Sequence, residues 1–120
     1  MTHILAVDDS PSMRDMVRIA LMSAGFNVSQ AADGEEALAL ARTRAFDLVL
    51  SDVNMPRMDG ISLIRALRAE AAYKHTPILM LTTESSLERK REGKDAGATG
   101  WIVKPFDPAQ LVATMQRVLR

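Results

Sequence analysis

Five short apolar runs, each followed by a longer stretch of mixed polarity, divide this chain, and few folds accept that rhythm. The runs fall at 4–7, 27–31, 47–50, 77–81 and 101–103. They are too short for helices that bury one face, and three are almost continuously apolar, which suits strands covered on both sides. Strict alternation of such strands with helical segments implies an α/β domain with a parallel sheet and right-handed crossovers.

The intervening segments carry helix signals of unequal strength. Ser10 can cap the first, Pro11 fits its opening position, and Met13, Met16, Val17, Ala20, Leu21 and Ala24 form one stripe before Gly25 ends it. Asp107 and Pro108 repeat the device for the last, with Leu111, Val112, Met115, Val118 and Leu119 on one face. Helices are also expected near 34–44 and 60–70. The signal is weakest over 85–96, which is mostly charged, contains Gly93 and offers only Leu87 and small alanines for burial. A loosely held helix is expected there.

At 120 residues the chain has the length of one domain, and residues 1–120 are read as a single one. No apolar run approaches the roughly 20 residues that span a bilayer. The N-terminus lacks the pattern of a signal peptide and cysteine is absent, so a soluble, cytoplasmic protein is expected. Fifteen basic and fifteen acidic residues cancel, leaving no global field to draw in nucleic acid or an anionic membrane. Chemistry must come from local clusters.

Ligands of open parallel sheets bind at the carboxyl ends of the strands, and the reactive side chains gather there. Asp8 and Asp9 follow the first strand, Asp52 the third, Thr82 the fourth and Lys104 the fifth. Each alone has an ordinary explanation. Asp9 favours a helix start, Asp52 serves the turn through Asn54, Pro56, Asp59 and Gly60, Thr82 caps the next segment, and Lys104 holds its amine in water. Jointly these explanations fail, because three carboxylates at one sheet edge repel one another and a single lysine leaves a formal excess of two negative charges. A divalent cation would balance it. Oxygen donors with no His or Cys nearby point to a hard ion, and Mg²⁺ characteristically takes one or two carboxylates, keeps waters and completes its shell from a phosphate. A carboxylate can attack phosphorus once metal and ammonium neutralise the charges involved, so phosphoryl transfer to an aspartate is the chemistry indicated.

In order and spacing, Val7-Asp8-Asp9-Ser10, Ser51-Asp52-Val53-Asn54-Met55-Pro56-Arg57-Met58-Asp59-Gly60, Leu81-Thr82, Ala96-Gly97-Ala98 and Lys104-Pro105-Phe106 resemble the response-regulator receiver family. The resemblance covers essentially the whole chain and runs closest to the free-standing chemotaxis regulators. It implies a flavodoxin-like (βα)5 three-layer sandwich with strand order 2-1-3-4-5. It also implies that Asp52 is the phosphoacceptor, that Asp9, Asp52 and the Asn54 backbone carbonyl bind Mg²⁺ directly, and that Asp8 acts mainly through water. Lys104 would pair with the phosphoryl group, Thr82 would shift its hydroxyl towards it, and the Lys104–Pro105 bond would be cis, a minority state. Trp101 holds the fifth-strand position where the family's aromatic residue turns inward into the space that Thr82 vacates. Asn54, Thr83 and Glu84 would govern the lifetime of the phosphoryl group. Thr83 stands where the family usually has Ala or Gly, and its bulk is expected to slow access of water or a phosphatase.

The function so implied is a switch rather than an enzyme. It would accept phosphate from a histidine kinase and pass a conformational change to a protein such as a flagellar motor switch component, through the fourth helix, fifth strand and fifth helix. With no room for an effector domain, output would be non-covalent and from a monomer. A phosphorelay intermediate, or a phosphate sink for a shared kinase, is the related alternative. The charged run 88–92 on that surface is mixed in sign and reads chiefly as a solvated helix face. Two rivals of other classes fit less well. A flavodoxin-like cofactor carrier would find its flavin phosphate repelled by Asp8 and Asp9, and an aspartyl phosphohydrolase would need a second acid where this chain has Asn54. No glycine-rich loop ending in Lys and Ser or Thr is present, so direct use of ATP is not expected.

Overall fold

The computed structural model describes residues 2–83 and 87–119. Strands β1 (His3–Val7), β2 (Asn27–Ala31), β3 (Leu48–Asp52), β4 (Ile78–Thr82) and β5 (Gly100–Val103) alternate with helices α1 (Pro11–Ser23), α2 (Gly34–Thr43), α3 (Gly60–Arg68), α4 (Leu87–Ala96) and α5 (Pro108–Val118). Every strand pairing is parallel and the order is β2-β1-β3-β4-β5, as the resemblance implied. Two strands run further at their carboxyl ends than their apolar runs suggest. β3 and β4 continue to Asp52 and Thr82, so these two side chains close their strands instead of following them. A 3₁₀ turn at Ala71–Tyr73 was not anticipated.

Alternation along each strand divides the core between the two faces of the sheet. Ile4 and Ala6 of β1, Leu48 and Leu50 of β3, and Leu79 and Leu81 of β4 pack with Val17 and Leu21 of α1 and with Leu111 and Met115 of α5. Leu5, Val7, Val49, Ile78 and Met80 point the other way, into a cluster with Ala37 and Ala41 of α2, Ile64 and Leu67 of α3, and Ala96 of α4. Each fully buried Leu or Ile contributes about 1.5–3 kcal/mol relative to exposure. That is why the central strands are apolar along most of their length, whereas β5, at the edge, turns Trp101 and Val103 to solvent.

The helices begin where the sequence marks them. The Ser10 hydroxyl accepts the Met13 N–H, and Asp33, Asp59 and Asp107 accept those of Glu36, Ser62 and Ala109. Such caps are typically worth about 1 kcal/mol. The α1 stripe is narrower than its spacing suggests: Val17 and Leu21 are buried, but Ala24 is an exposed cap residue. In α4 the expected anchor is wrong. Leu87 is 63% exposed, and the residues that α4 buries are Gly93 and Ala96. A Cβ on Gly93 would lie 2.2 Å from the Met80 Cε, so this glycine is a close-packing position against β4.

The loop between β3 and α3 is fixed at both ends. The Gly60 N–H donates to the Val53 carbonyl at 2.8 Å, and the Gly34 N–H at the start of α2 donates to the Met58 carbonyl at 3.1 Å. Between them Arg57 adopts a left-handed φ of 65° and pairs its guanidinium with the buried Asp33 carboxylate. The return of the chain onto β3 leaves no space for a side chain at Gly60, where a Cβ would stand 2.1 Å from the Asp52 carbonyl oxygen and 3.0 Å from the Val53 Cα. Both obstacles are backbone, so no rotamer change relieves them. Gly60→Ala is therefore expected to destabilise the fold by about 2–3 kcal/mol, read as a lower urea midpoint; a midpoint within error of the parent would refute this account of the loop.

Candidate functional site

The parallel register carries the functional side chains to one edge. Val7 lies opposite Ser51, Asp52 opposite Leu81, and Thr82 opposite Val103, so the residues that end or follow β1, β3, β4 and β5 are neighbours. Carboxylate oxygens of Asp8, Asp9 and Asp52 all lie within 4.8 Å of one another. Asp8 is buried, Asp52 half-buried and Asp9 exposed. The Ser10 N–H donates to Asp8 Oδ1 at 2.9 Å, and the Val53 N–H donates to Asp52 Oδ1 at 2.8 Å. These bonds fix the two carboxylate planes.

Lys104 reaches into the cluster, with Nζ 3.1 Å from Asp8 Oδ2 and 3.4 Å from Asp52 Oδ1. The Lys104–Pro105 bond is cis, as expected. The Lys104 N–H donates to the Thr82 carbonyl at 2.8 Å, which ties the lysine to the strand carrying the buried Thr82 side chain. Desolvation pushes the Asp52 carboxyl above the ordinary carboxylate range, and the charge of Asp8 adds to the shift; Lys104 and the Val53 N–H oppose it. The donors are all oxygen and the cluster keeps excess negative charge after Lys104 is counted, so Asp8, Asp9 and Asp52 fit a hard divalent cation.

The other sequence-derived candidates occupy the rim. Asn54 is exposed two residues beyond Asp52, and its side-chain Oδ1 accepts a hydrogen bond from Arg89 Nη2 at 3.3 Å. Thr83 is exposed beside Thr82. Glu84 lies outside the described residues. Trp101 is 39% exposed on the outer side of β5, with Lys90 Nζ 5.2 Å from its ring centroid, within the range of a cation–π contact.

Sequence reasoning missed Arg89 and Lys90, which were read within a solvated run. The i,i+3 spacing of Arg89 and Glu92, which form an ion pair at 2.9 Å, is a sign of order that the sequence carries there. It also missed Asp33, whose carboxyl is held below the usual range chiefly by the Glu36 N–H, with Arg57 assisting. A groove of about 500 Å³ between α1 and α5, lined by residues such as Ala20, Ala24, Val112 and Ala113, contains none of the site residues.

A parallel sheet in this order, with an acidic pair after β1, an aspartate ending β3 and a lysine after β5, defines a receiver domain. The chain belongs to that family, whose model, described as response regulator receiver domain, matches residues 4–116. Within the family it is similar to CheY proteins. It is 43% identical over 116 residues to chemotaxis protein CheY-3 of Vibrio cholerae, covering 96% of this chain and 89% of that protein. It is 40% identical to chemotaxis protein CheY of Pseudomonas aeruginosa, covering 96% and 94%. Among solved structures, the chemotaxis protein CheY4 of Vibrio cholerae superposes with a TM-score of 0.95 at 58% identity over 98% of each chain.

The raised pKa of Asp52 has a stability consequence. The folded chain holds the Asp52 proton more tightly than the unfolded chain, so this group's contribution is present below the unfolded carboxylate pKa, about 3.9, and is lost as pH rises through the folded value. In metal-free buffer near neutral pH, Asp52→Asn should therefore raise the thermal midpoint, and the advantage should shrink as the buffer is taken down to about pH 4. A variant no more stable than the parent at neutral pH would contradict the electrostatic description.

Proposed function

We propose that this chain is a phosphorylation-controlled switch of two-component signalling, in which Asp52 accepts a phosphoryl group from a histidine kinase. The observation that carries this reading is the placement of the Lys104 ammonium within 3.1 Å of Asp8 and 3.4 Å of Asp52, in a cluster of three carboxylates. An aspartate that served only a turn would need neither the ammonium nor the acidic neighbours.

In the reaction a carboxylate oxygen of Asp52 forms a bond to phosphorus while the bond from phosphorus to the donor nitrogen breaks, and the nitrogen keeps the electron pair. The Val53 N–H and Lys104 both contact Oδ1, which leaves Oδ2 as the attacking oxygen. Asp9, Asp52 and the Asn54 carbonyl would hold Mg²⁺ directly, with Asp8 acting through water. The ion would neutralise charge on the phosphoryl oxygens. Lys104 exchanges its contact with Asp52 for one to a phosphoryl oxygen, and the Thr82 hydroxyl donates to another. Because the Thr82 carbonyl is bonded to the Lys104 N–H, its side chain moves while its backbone stays.

The signal leaves through Trp101, which turns inward as the Thr82 hydroxyl moves towards the phosphoryl group. The outer face of β5 and α4 then presents a different surface to a partner. Similarity to chemotaxis proteins supports a flagellar motor switch component in that role. Thr83, exposed beside the switch hydroxyl, slows entry of water or a phosphatase. The domain acts as a monomer in the cytoplasm; among the described residues no helix is long and apolar enough to cross a membrane.

Incubation with Mg²⁺ and acetyl phosphate should add one acid-stable, base-labile phosphoryl group, detectable by intact mass. Asp52→Asn or chelation of Mg²⁺ should abolish it, and Lys104→Met should reduce it by at least about tenfold. Uptake that persists in Asp52→Asn would end the assignment. The same reaction should alter the fluorescence of Trp101, the sole tryptophan; an unchanged spectrum on stoichiometric phosphorylation would exclude the route through that residue.

A further inference from the structure

Arg89 stands in the first turns of α4, yet it contacts a residue 35 positions earlier in the chain. Among the described residues its guanidinium meets two acceptors: Nη1 donates to Glu92 Oε2 at 2.9 Å, and Nη2 donates to Asn54 Oδ1 at 3.3 Å. Glu92 lies one turn further along the same helix, so it sets the plane of the guanidinium and aims the second edge away from α4. The arginine side chain is 30% exposed, which leaves it partly packed rather than free in water.

The position of this link matters more than its strength. Asn54 belongs to the loop after β3, and Arg89 belongs to the helix after β4. β3 and β4 are adjacent, with Asp52 paired to Leu81. A contact between those two segments therefore crosses the sheet edge just beyond Asp52, on the side open to solvent.

We propose that Arg89 is a positioning residue that sets the lifetime of the phosphoryl group on Asp52 by holding Asn54 across the mouth of the site. This rests on the reading of Asp52 as phosphoacceptor. Hydrolysis requires a water oxygen to bond to phosphorus in line with the departing Asp52 oxygen, so the water enters from the solvent side. The bond from phosphorus to Asp52 breaks with its electron pair returning to the carboxylate, and inorganic phosphate leaves carrying the water oxygen. The Arg89–Asn54 link spans that approach. While it is closed it restricts the in-line position, and its loss opens the mouth without altering Asp52, Lys104 or the carboxylate cluster.

The test is a double-mutant cycle on the decay of protein labelled with ³²P from acetyl phosphate and then freed of donor. Arg89→Ala should lose label about fivefold faster than the parent, the scale of one surface hydrogen bond. Asn54→Ala removes the side-chain acceptor, keeps the backbone carbonyl and should accelerate decay to a similar degree. The double variant should decay no faster than either single one, because both remove the same link. A general loosening of the fold would instead make the two effects multiply. Glu92→Gln, which leaves Arg89 in place but weakens its aim, supplies an independent arm: it should speed decay in the parent and have no effect in Asn54→Ala. Multiplicative effects, or parent-like decay in Arg89→Ala, overturn the inference while leaving the phosphoacceptor reading intact. A parent protein that takes up no label overturns both.

Discussion

The structure is organised around an electrostatic conflict. Asp8, Asp9 and Asp52 are brought within 4.8 Å by a parallel register, and among the described residues Lys104 is the cation that opposes them. Isolated charges in such surroundings are expensive, and the upward displacement of the Asp52 carboxyl is the local expression of that expense. The two hydrophobic clusters on either face of the sheet supply the stability that lets the conflict persist. A less complete core would let the sheet edge splay and the carboxylates part. The site is thus a deliberate departure from local electrostatic comfort, held in place by apolar packing on both of its sides.

Much of this was legible in the sequence because it depends on period and order. Continuous apolar runs mark strands covered on both faces, and in a parallel sheet every strand end of one polarity lies on one edge. The convergence of Asp8, Asp9, Asp52, Thr82 and Lys104 followed from those two facts alone. Strand limits were less legible: Ser51 and Thr82 are polar and would end an apolar run, but they continue the ladder and are buried within it. Hydrogen-bonded pairing extends a strand past the point where hydropathy stops.

Contacts made by long side chains at the rim were not legible. The pairings of Arg57 with Asp33, Arg89 with Asn54 and Lys90 with Trp101 join segments distant in sequence, and each depends on a loop path and a choice of rotamers that no periodicity encodes. In α4 the usual rules misled directly. Leu87 looked like an anchor and is exposed, while Gly93 looked like a weakness and is where the helix meets Met80. A helix with so little apolar surface is seated by close backbone approach at a glycine and by cations reaching outward from its flanks.

The adjacency of those cations along α4 has its own consequence. Successive side chains on a helix diverge by about 100°, so Arg89 and Lys90 leave α4 in different directions, one towards Asn54 and the other towards Trp101. A turn of the helix about its axis would act on both contacts at once. The chemical edge of the sheet and its outer aromatic face are therefore joined through one helix. By thermodynamic reciprocity, any binding event at Trp101 that displaced Lys90 and shifted α4 would also disturb the Arg89–Asn54 link at the rim of the acidic cluster, and a change in that link would alter such binding in return.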